Sequence, residues 1–323
     1  MISVKNLEKR YGDLLAVKNV SFEVDQGEVV GLLGQNGAGK TTVMKIITGY
    51  LEPTEGSVTV GNIDVVEDRI NVQKKIGYMP ENAPLYDEML VQEYLLMMAD
   101  LRGIEREKQQ AAIAEAVRAT GVEKVLTRSI STLSKGFRQR VALCQAILHK
   151  PEVLILDEPT NGLDPVQIVE IRSLIRKLAK QSTIFLSTHI LPEIEAVCDR
   201  VIILIDGELA TDAKLAELLK SNHIGLSISK GAADVEKQLK SVKGVTSVQD
   251  KGPDLTRAGF ELWSVDCEQG AAPSPEIVRT AMNAQWEVAS IAQERPSLEQ
   301  VFGALMDEHV RRRREASLQE IAA

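Results

Sequence analysis

The sequence predicts an α/β fold, in which helices cover a mainly parallel sheet, followed by a smaller α+β domain of the ferredoxin-like type. The first prediction rests on apolar runs that alternate with helical patterns, namely Val153–Leu156, Ile168–Leu178, Thr183–Leu186 and Val201–Ile205. Such alternation is typical of parallel sheets with helical crossovers. The second rests on the segment beyond about residue 220. There the order strand, helix, strand, strand, helix, strand begins anew on a smaller scale, as in ferredoxin-like domains.

The overall charge and the cysteine content argue against several classes of function. With 46 acidic against 38 basic residues, the formal net charge is −8, whereas a broad nucleic-acid surface is strongly basic. The three cysteines, Cys144, Cys198 and Cys267, are odd in number and show no C-x-x-C spacing. A disulfide framework or a zinc site is therefore not expected, and free thiols in a reducing compartment fit better.

No segment of the sequence has the hydrophobic length of a membrane-spanning helix. The uninterrupted apolar stretches are short, as in Val201–Ile205, whereas a spanning helix needs roughly 20 apolar residues. The first residues, Met1–Asn6, lack the apolar core of a secretory signal. We therefore expect a soluble cytoplasmic chain, so that any transport pore belongs to a different chain.

The elements at the start of the chain alternate in the manner of half-buried strands. Apolar residues fall on one face of Ile2–Val4 and of Val20–Val24, with a turn predicted at Lys9–Asp13. The apolar run Glu28–Leu33 predicts a buried strand that ends at a glycine-rich loop. The elements after this loop are a helix with Val43, Ile46, Ile47 and Tyr50 on one face, a turn at Pro53–Gly56 and a strand at Ser57–Val60.

In the middle of the first domain the sequence pattern changes from alternating strands and helices to helices alone. Helical periodicity and few turn residues between Val91 and Thr120 predict a largely helical insert, which we place in a helical subdomain over about residues 82–150. With 323 residues the chain exceeds one typical domain. We therefore expect a first domain over residues 1–218 and a second over residues 222–308.

The second domain is predicted from seven short elements and is followed by a basic tail. The elements are strands at Gly225–Ile228, Val245–Val248, Gly259–Val265 and Trp286–Ile291, with helices at Ala232–Val242 and Pro275–Asn283, and a last helix at Leu298–Met306. The tail, residues 309–323, carries the charge run Arg311–Arg314 and is expected to be helical. Such terminal charge runs are usually solvated. The alternative is an amphipathic helix, with Leu318 and Ile321, that contacts anionic lipid or a partner subunit.

The glycine-rich loop fits the pattern G-x-x-x-x-G-K-[ST] at every fixed position. It lies between an apolar strand and an amphipathic helix, which is the context that a phosphate-binding loop requires. Its glycines allow successive N–H groups to surround phosphate oxygens, with Lys40 at the β- and γ-phosphates and the Thr41 hydroxyl on Mg²⁺. The predicted nucleotide-binding residues are Gly34, Asn36, Gly37, Ala38, Gly39, Lys40, Thr41 and Thr42.

Two adjacent carboxylates indicate which reaction the bound nucleotide undergoes. The apolar run Val153–Leu156 leads directly into Asp157 and Glu158. Asp157, at the end of the predicted strand, is suited to hold Mg²⁺ through water, and Glu158 is suited to orient and deprotonate an attacking water. We therefore predict Glu158 and Lys40 as catalytic residues, with ATP as the substrate and Mg²⁺ as the metal.

At this point the sequence resembles the ABC ATPases over residues 1 to about 220. The segment Leu133–Arg140 is similar to their signature motif, and a Leu-Asp-Glu-Pro run follows it at Leu156–Pro159. Asn161–Pro165 is similar to the family's D-loop, and Ser187–His189 to its switch histidine. The resemblance implies an antiparallel β subdomain in the first domain. It also implies that Tyr11 stacks on adenine and that Ser134, Gly136 and Asp164 belong to the nucleotide site. His189 is expected to contact the γ-phosphate, which makes it a third predicted catalytic residue.

Two motifs depart from the family's common pattern. In the signature, Lys135 replaces the first glycine and Phe137 the glutamine, while Ser134 and Gly136 remain. Glu81 stands where the family usually has a glutamine that senses nucleotide. Its carboxylate can still ligate Mg²⁺ or water, so Glu81 is expected in both the nucleotide site and the metal site, although it brings an extra negative charge. Both variants resemble those of ATPases that serve exporters of lipids, polysaccharides and drugs. The first domain also resembles gliding-motility ATP-binding subunits.

The resemblance implies partners as well as chemistry. Subunits of this family pair head-to-tail, so that each ATP lies between the phosphate loop of one chain and the signature of another. We therefore expect a second copy or a paralogous ATPase as one partner. The other partner is an integral membrane permease, which would hold the chain at the cytoplasmic face of the membrane. No nucleic-acid partner is expected.

The sequence disfavours two alternatives to a transporter ATPase. A soluble ABC ATPase acting on nucleic acid or ribosomes is disfavoured because the span Thr42–Thr132 is too short for a long coiled coil and shows no sustained heptads. The single ATPase domain and the net negative charge also argue against such a soluble ATPase. A nucleotide-binding regulator without turnover is disfavoured because both Glu158 and His189 are present.

Overall fold

The computed structural model describes residues 1–268, 271 and 273–322, with side chains described up to residue 315. The chain divides into two compact units. One consists of residues 1–216 together with the segment that begins at residue 304, and the other of residues 217–303. None of the helices in the described part of the chain combines the length and the apolar character that a membrane span requires.

The strands of the first unit form two sheets. In chain order they are β1 (Ile2–Tyr11), β2 (Leu14–Val24), β3 (Val29–Leu33), β4 (Glu55–Val60), β5 (Ile63–Asp64), β6 (Ile76–Met79), β7 (Val153–Asp157), β8 (Thr183–Thr188), β9 (Arg200–Ile205) and β10 (Glu208–Lys214). The helices up to the unit boundary are α1 (Lys40–Ile47), α2 (Arg69–Lys75), α3 (Val91–Leu101), α4 (Arg106–Thr120), α5 (Lys135–Ile147), α6 (Pro165–Leu178), α7 (Leu191–Val197) and α8 (Leu215–Leu218).

The larger sheet is mainly parallel, as the sequence predicted. Its strand order is β10-β9-β3-β8-β7-β6, and only the β9–β10 pair is antiparallel. Every residue of β3, β7 and β8 is buried, because both faces of such a sheet are covered, and this burial explains their continuous apolar runs. The carboxyl ends of these three strands meet at one edge, where the glycine-rich loop, Asp157 and Thr188 lie.

The smaller sheet of the first unit is antiparallel, with the order β2-β1-β4-β5. The sequence predicted a turn at Lys9–Asp13, but strand pairing continues as far as Tyr11 opposite Leu14. The turn is therefore confined to Gly12 and Asp13. Gly12 has φ +57°, which glycine adopts readily because it lacks a Cβ.

The helical insert packs around its own apolar cluster. Helices α3, α4 and α5 supply most of the buried side chains, among them Tyr94, Leu95, Val117 and Val141. Two residues brace this insert against β6. Arg102 donates from Nη1 to the carbonyl oxygen of Ile76 at 3.2 Å, and His149 Nε2 lies 3.0 Å from the same oxygen. Burial lowers the pKa of His149 to about 4, so this imidazole is a neutral structural group.

The second unit has the strand order expected of a ferredoxin-like domain. Its elements are β11 (His223–Ser229), α9 (Val235–Lys240), β12 (Val245–Pro253), β13 (Phe260–Cys267), α10 (Ser274–Asn283) and β14 (Val288–Glu294). The strands form an antiparallel sheet in the order β12-β13-β11-β14. Trp286 lies in the apolar cluster of this unit and precedes β14, whereas the sequence placed it in the strand.

The last helix, α11 (Leu298–Ala322), joins the helix predicted at Leu298–Met306 to the tail, which was also expected to be helical. The apolar pattern ends at Met306, and the arginine run continues the helix because straight charged side chains favour helix. Arg312 pairs with Glu308 one turn earlier, and Arg313 Nη1 donates to Asp206 Oδ2 at 2.5 Å. The side chains of Leu318 and Ile321, which the amphipathic alternative invoked, lie outside the described residues.

Candidate active site

The phosphate loop connects β3 to α1 along a path that glycine alone can follow at two points. A Cβ on Gly34 would lie 2.6 Å from the carbonyl oxygen of Leu204. Gly39 precedes α1 with φ +96°, and a Cβ there would lie 2.7 Å from the carbonyl oxygen of Ala16. No side chain caps the first turn of α1. The loop can therefore present backbone N–H groups and the positive end of a helix dipole to an anion.

Lys40 is the first residue of α1, directly after the loop, and is almost fully buried, with 7% of its surface exposed. Its ammonium donates to the carbonyl oxygens of Gly34 at 2.7 Å and of Gln35 at 3.2 Å. Burial lowers the pKa of Lys40, while the carboxylates of Glu158, Asp157 and Glu81 oppose that shift. The predicted phosphate ligand thus faces all three predicted acids of the site. Gln35, Asn36 and Gly37 are exposed, and Thr41 and Thr42 are half-buried.

Asp157 ends β7 and is buried, with one carboxylate oxygen bonded and the other not. Its Oδ1 accepts a hydrogen bond from the Ser187 hydroxyl, whereas Oδ2 is buried and has no hydrogen-bond partner among the described residues. Burial raises the pKa of Asp157, and the nearby hydroxyls of Ser187 and Thr41 act in the opposite direction. A buried oxygen without a hydrogen-bond partner costs free energy unless an ion or another polar group contacts it.

Glu158 and His189 are in direct contact although 31 positions separate them in the chain. His189 Nδ1 lies 2.9 Å from Glu158 Oε2, and Lys40 Nζ lies 3.9 Å from Glu158 Oε1. Glu158 has φ +50°, a conformation that is uncommon for residues other than glycine. Its N–H donates to the carbonyl oxygen of Ser187 at 3.1 Å. The structure therefore brings all three predicted catalytic side chains together at the edge of the sheet.

Glu81 follows β6 and reaches the segment after Glu158. Its Oε1 accepts a hydrogen bond from Asn161 Nδ2 at 2.9 Å. Its charge also acts on the pKa values of Lys40 and Asp157. The predicted sensor position thus lies beside the metal and phosphate ligands predicted from the sequence.

The signature residues lie at the start of α5, against the D-loop of the same chain. Ser134 caps α5, accepting from the N–H of Phe137 at 3.4 Å, and it is exposed. The Lys135 ammonium fills the space that a side chain on Gly162 would need. Asp164 caps α6, accepting from the N–H of Gln167 at 2.9 Å. Within the described part of the chain, no hydrogen bond or ion pair joins Ser134–Gly136 to the phosphate loop.

Tyr11 lies at the end of β1 with 47% of its surface exposed. The Lys9 ammonium lies 5.5 Å from the centre of its ring, within the range of a cation–π contact. The ring therefore offers an open aromatic face. No hydrogen bond joins the Tyr11 side chain to the phosphate loop among the described residues.

Four polar residues of the site were given no role of their own by the sequence analysis. Ser187 bonds Asp157, and a buried carboxylate, Glu193, accepts from the hydroxyls of Thr160 and Thr188. The polar pair Ser187 and Thr188 at the end of an otherwise apolar strand was a usable signal. Glu193 gave none, since a glutamate in the first turn of a helix is ordinarily a solvated partner of the helix dipole.

A mainly parallel sheet with a phosphate loop at one strand end and paired carboxylates two strands away defines a phosphate-loop nucleotide-binding protein. Residues 17–161 match the family model described as ABC transporter. The ABC transporter ATP-binding protein YxlF of Bacillus subtilis is 34% identical over 302 residues, which cover 94% of this chain and 98% of that protein. The bacitracin transport ATP-binding protein BcrA of Enterococcus faecalis is 38% identical over 224 residues, covering 69% of this chain and 72% of that protein.

Solved structures agree with these relatives. An ATP-binding subunit of an ABC transporter is 32% identical, with a TM-score of 0.62, and the match covers 68% of this chain and 91% of that one. The ATP-binding cassette MJ0796, in a dimeric post-hydrolysis state bound to ADP and Pi, is 28% identical with a TM-score of 0.61, covering 67% and 99%. The chain belongs to the ABC transporter ATP-binding proteins. The predicted fold class is confirmed, and membership implies ATP binding and hydrolysis.

Proposed function

We propose that the chain hydrolyses ATP with Mg²⁺ in a head-to-tail dimer and thereby drives export through separate permease subunits. The observation that carries the proposal is the position of the Glu158 carboxylate. It lies 3.9 Å from Lys40 Nζ and 2.9 Å from His189 Nδ1. A base held between a phosphate ligand and a second proton-carrying group is suited to deprotonate water beside a γ-phosphate.

The loop and its lysine account for binding of the triphosphate. Backbone N–H groups from Gly34 to Thr42 surround the β- and γ-phosphates, and Lys40 exchanges its two carbonyl partners for phosphate oxygens. This exchange keeps the buried ammonium hydrogen-bonded at every stage, so the free loop carries no unpaired buried charge.

The oxygens beside the loop fit a magnesium ion. The buried Asp157 Oδ2 has no hydrogen-bond partner among the described residues, and the Thr41 hydroxyl lies close enough to lower the pKa of this carboxylate. Together with Glu81 they form a set of hard oxygen donors, which Mg²⁺ prefers, usually with water completing its coordination. When bound, Mg²⁺ neutralises negative charge on the phosphate oxygens.

Hydrolysis then needs a water activated on the open side of the γ-phosphate. Glu158 accepts a proton from this water while the water oxygen forms a bond to the γ-phosphorus. The bond between the γ-phosphorus and the β,γ-bridging oxygen breaks, which releases ADP and phosphate. Lys40 stabilises the charge that grows on the transferred group. His189 holds the Glu158 carboxylate through Nδ1 and presents its exposed ring toward the γ-phosphate.

A second copy supplies what one chain lacks. Ser134 is exposed at the start of α5 and, in the described structure, is not bonded to its own phosphate loop. Its hydroxyl and the N–H of Gly136 are available to the γ-phosphate held by a partner, with Lys135 adding a positive charge. Asp164 and the D-loop lie beside these residues and would cross the interface with them. The dimeric state of the similar cassette MJ0796 supports this arrangement.

Tyr11 provides a test of how the adenine ring of ATP is bound. Replacing Tyr11 by alanine is expected to raise the KM for ATP roughly five- to tenfold, because base–aromatic stacking contributes about 1–3 kcal/mol. The kcat should change little, since Tyr11 is remote from the reacting phosphate in the proposed complex. Steady-state kinetics of Tyr11→Ala measure both constants. Tyr50→Ala is the matched control, because Tyr50 is also exposed and has a lysine ammonium 5.9 Å from its ring. Equal KM values in the wild type and Tyr11→Ala would rule out stacking.

Export through a permease is supported by two lines of argument. The bacitracin transport relatives of Enterococcus faecalis and Bacillus licheniformis are each 38% identical to this chain. The motif variants at Lys135, Phe137 and Glu81 also resemble those of exporter ATPases. We therefore place the chain at the cytoplasmic face of the membrane, attached through its permease.

The direction of transport is testable in inverted vesicles that carry the chain and its permease subunits. Their cytoplasmic face is outward, so added ATP reaches the chain, and exported cargo accumulates inside. With labelled bacitracin as the probe, we expect uptake that requires ATP and is absent with Glu158→Gln. Hydrolysis of ATP without uptake would argue against export of this class of cargo. Sedimentation of the chain with ribosomes instead of membranes would favour the nucleic-acid hypothesis.

A further inference from the structure

A buried carboxylate that the proposed reaction does not use lies behind the Glu158–His189 pair. Glu193, in the first turn of α7, is only 3% exposed. One of its oxygens accepts a hydrogen bond from the Thr160 hydroxyl, and the other accepts from the Thr188 hydroxyl at 2.8 Å. Both ends of this carboxylate are therefore engaged by hydroxyl groups from different segments of the chain.

Packing alone does not explain an acid at this position. Among the ion pairs of the described residues none involves Glu193, so hydroxyl donors alone offset the loss of water. Burying a carboxylate without a cation carries an effective penalty of several kcal/mol. An apolar side chain of similar size would fill the same space without that penalty. The two hydrogen bonds are therefore the feature that requires explanation.

The two threonines belong to the loops that carry the proposed reactive groups. Thr160 comes two residues after Glu158, in the loop that follows β7, and Thr188 ends β8 immediately before His189. Thr188 Oγ1 also accepts from the N–H of Ile190 at 3.0 Å, which fixes the chain on both sides of His189. Glu193 thus cross-links the Glu158 loop to the His189 turn.

The contact between Glu158 and His189 depends on how these two loops are placed. At 2.9 Å from Nδ1 to Oε2 the pair is at hydrogen-bond distance, and a shift of 1 Å between the loops would break the bond. The uncommon φ of +50° at Glu158 adds a reason for the loop to relax if it is released. A misplacement of 1 Å at a reacting group can lower a rate by a factor of roughly 100.

We infer that Glu193 is a positioning residue for hydrolysis, which sets the geometry of the Glu158–His189 pair through Thr160 and Thr188. The inference rests on the proposed roles of Glu158 and His189 in hydrolysis. Glu193 itself touches neither nucleotide nor water in this scheme. Its effect should therefore appear in the rate of the chemical step and not in the affinity for ATP.

The test is a comparison of kcat and KM for Glu193→Gln. The amide keeps one acceptor oxygen but presents an NH2 group to the other threonine hydroxyl. That hydroxyl must turn from donor to acceptor, so one of the two hydrogen bonds donated to Glu193 is lost and the cross-link is weakened. We expect kcat to fall about tenfold while the KM for ATP stays within twofold of the wild type. Glu195→Gln, an exposed acid two residues further on the same helix, is the matched control and should leave both constants unchanged.

A double variant distinguishes positioning from a general loss of structure. If Glu193 acts through Glu158, the variant Glu158→Gln with Glu193→Gln should hydrolyse ATP no more slowly than Glu158→Gln alone. Thr160→Val removes one cross-link without changing Glu193 and should also lower kcat without raising KM. This variant keeps the inference testable if Glu193→Gln folds poorly.

Three results would overturn the inference: an unchanged kcat in both Glu193→Gln and Thr160→Val, a rise in KM with kcat unchanged, or losses that multiply in the double variant. The same series separates this inference from the proposed function. Wild-type hydrolysis by Glu158→Gln would refute the proposed function. Loss of hydrolysis in Glu158→Gln together with normal rates in Glu193→Gln and Thr160→Val would refute only the positioning role.

Discussion

Replacing Lys40 by methionine is expected to weaken ATP binding by about 100-fold or more. The ammonium supplies charge-assisted hydrogen bonds to two phosphates, each of which contributes roughly 1.5–3 kcal/mol. Methionine keeps most of the buried volume at a position where only 7% of the side chain is exposed. The loss should therefore reflect the charge and not a cavity. Calorimetric titration with ATP measures the affinity directly.

The control for Lys40→Met is Lys45→Met on the same helix. Lys45 is half-buried and its ammonium lies 5.9 Å from the Tyr50 ring, so this variant also removes one positive charge from α1. It should bind ATP like the wild type. The melting temperatures of both variants establish that each is folded. If folded Lys40→Met bound ATP with wild-type affinity, the phosphate loop would not be the nucleotide site.

Replacing Glu158 by glutamine is expected to lower the hydrolysis rate by about 100-fold or more while ATP binding is retained. An amide cannot accept a proton from water, so the general base is lost, and general-base catalysis contributes roughly 100- to 10,000-fold. Glutamine has the same shape and can keep a hydrogen bond to His189, so the loops should stay in place. Formation of phosphate in an acid-quenched single turnover measures the chemical step without the contribution of product release.

Glu152→Gln is the matched control for this experiment. Glu152 stands just before β7, whereas Glu158 stands just after it, and it pairs with Lys75 on the surface at 2.5 Å. The two variants remove the same charge at opposite ends of one strand. Glu152→Gln should hydrolyse ATP at the wild-type rate. A wild-type rate in Glu158→Gln would contradict the assignment of the general base.

The sequence predicted those parts of the fold and site that are determined by local pattern. The parallel strands were recognisable because strands buried on both faces are continuously apolar. The phosphate loop and the pair Asp157 and Glu158 were recognisable because each directly follows such a strand. Parallel strands end at a common edge, so a motif after each strand already implies that these groups are neighbours.

Other parts of the site could not be predicted because they depend on contacts between distant segments. Glu193 has the appearance of a surface acid until the fold brings Thr160 and Thr188 to its two oxygens. Ser134 and Asp164 each form helix caps in the described structure. The sequence pattern alone does not separate that capping role from nucleotide binding, because the same oxygen atoms serve both. The role across a dimer interface therefore remains a proposal.

The ends of the elements were the least predictable feature of the fold. The β1–β2 hairpin continues to Tyr11 because main-chain pairing with Leu14 does not depend on hydrophobic alternation. Helix α11 extends to Ala322 because charged residues prolong a helix that the apolar pattern no longer marks. Both elements are longer than their apolar pattern, since hydrogen bonding and helix propensity act beyond the buried segment.

The most direct test of the central claim is the molar mass of Glu158→Gln with and without nucleotide. In the proposed mechanism ATP joins the phosphate loop of one copy to the Ser134 and Gly136 tip of another, and this variant cannot release it by hydrolysis. Light scattering after gel filtration should give twice the monomer mass with ATP and Mg²⁺, and the monomer mass with ADP. A monomer that has ATP bound, both alone and beside its permease, would contradict the mechanism.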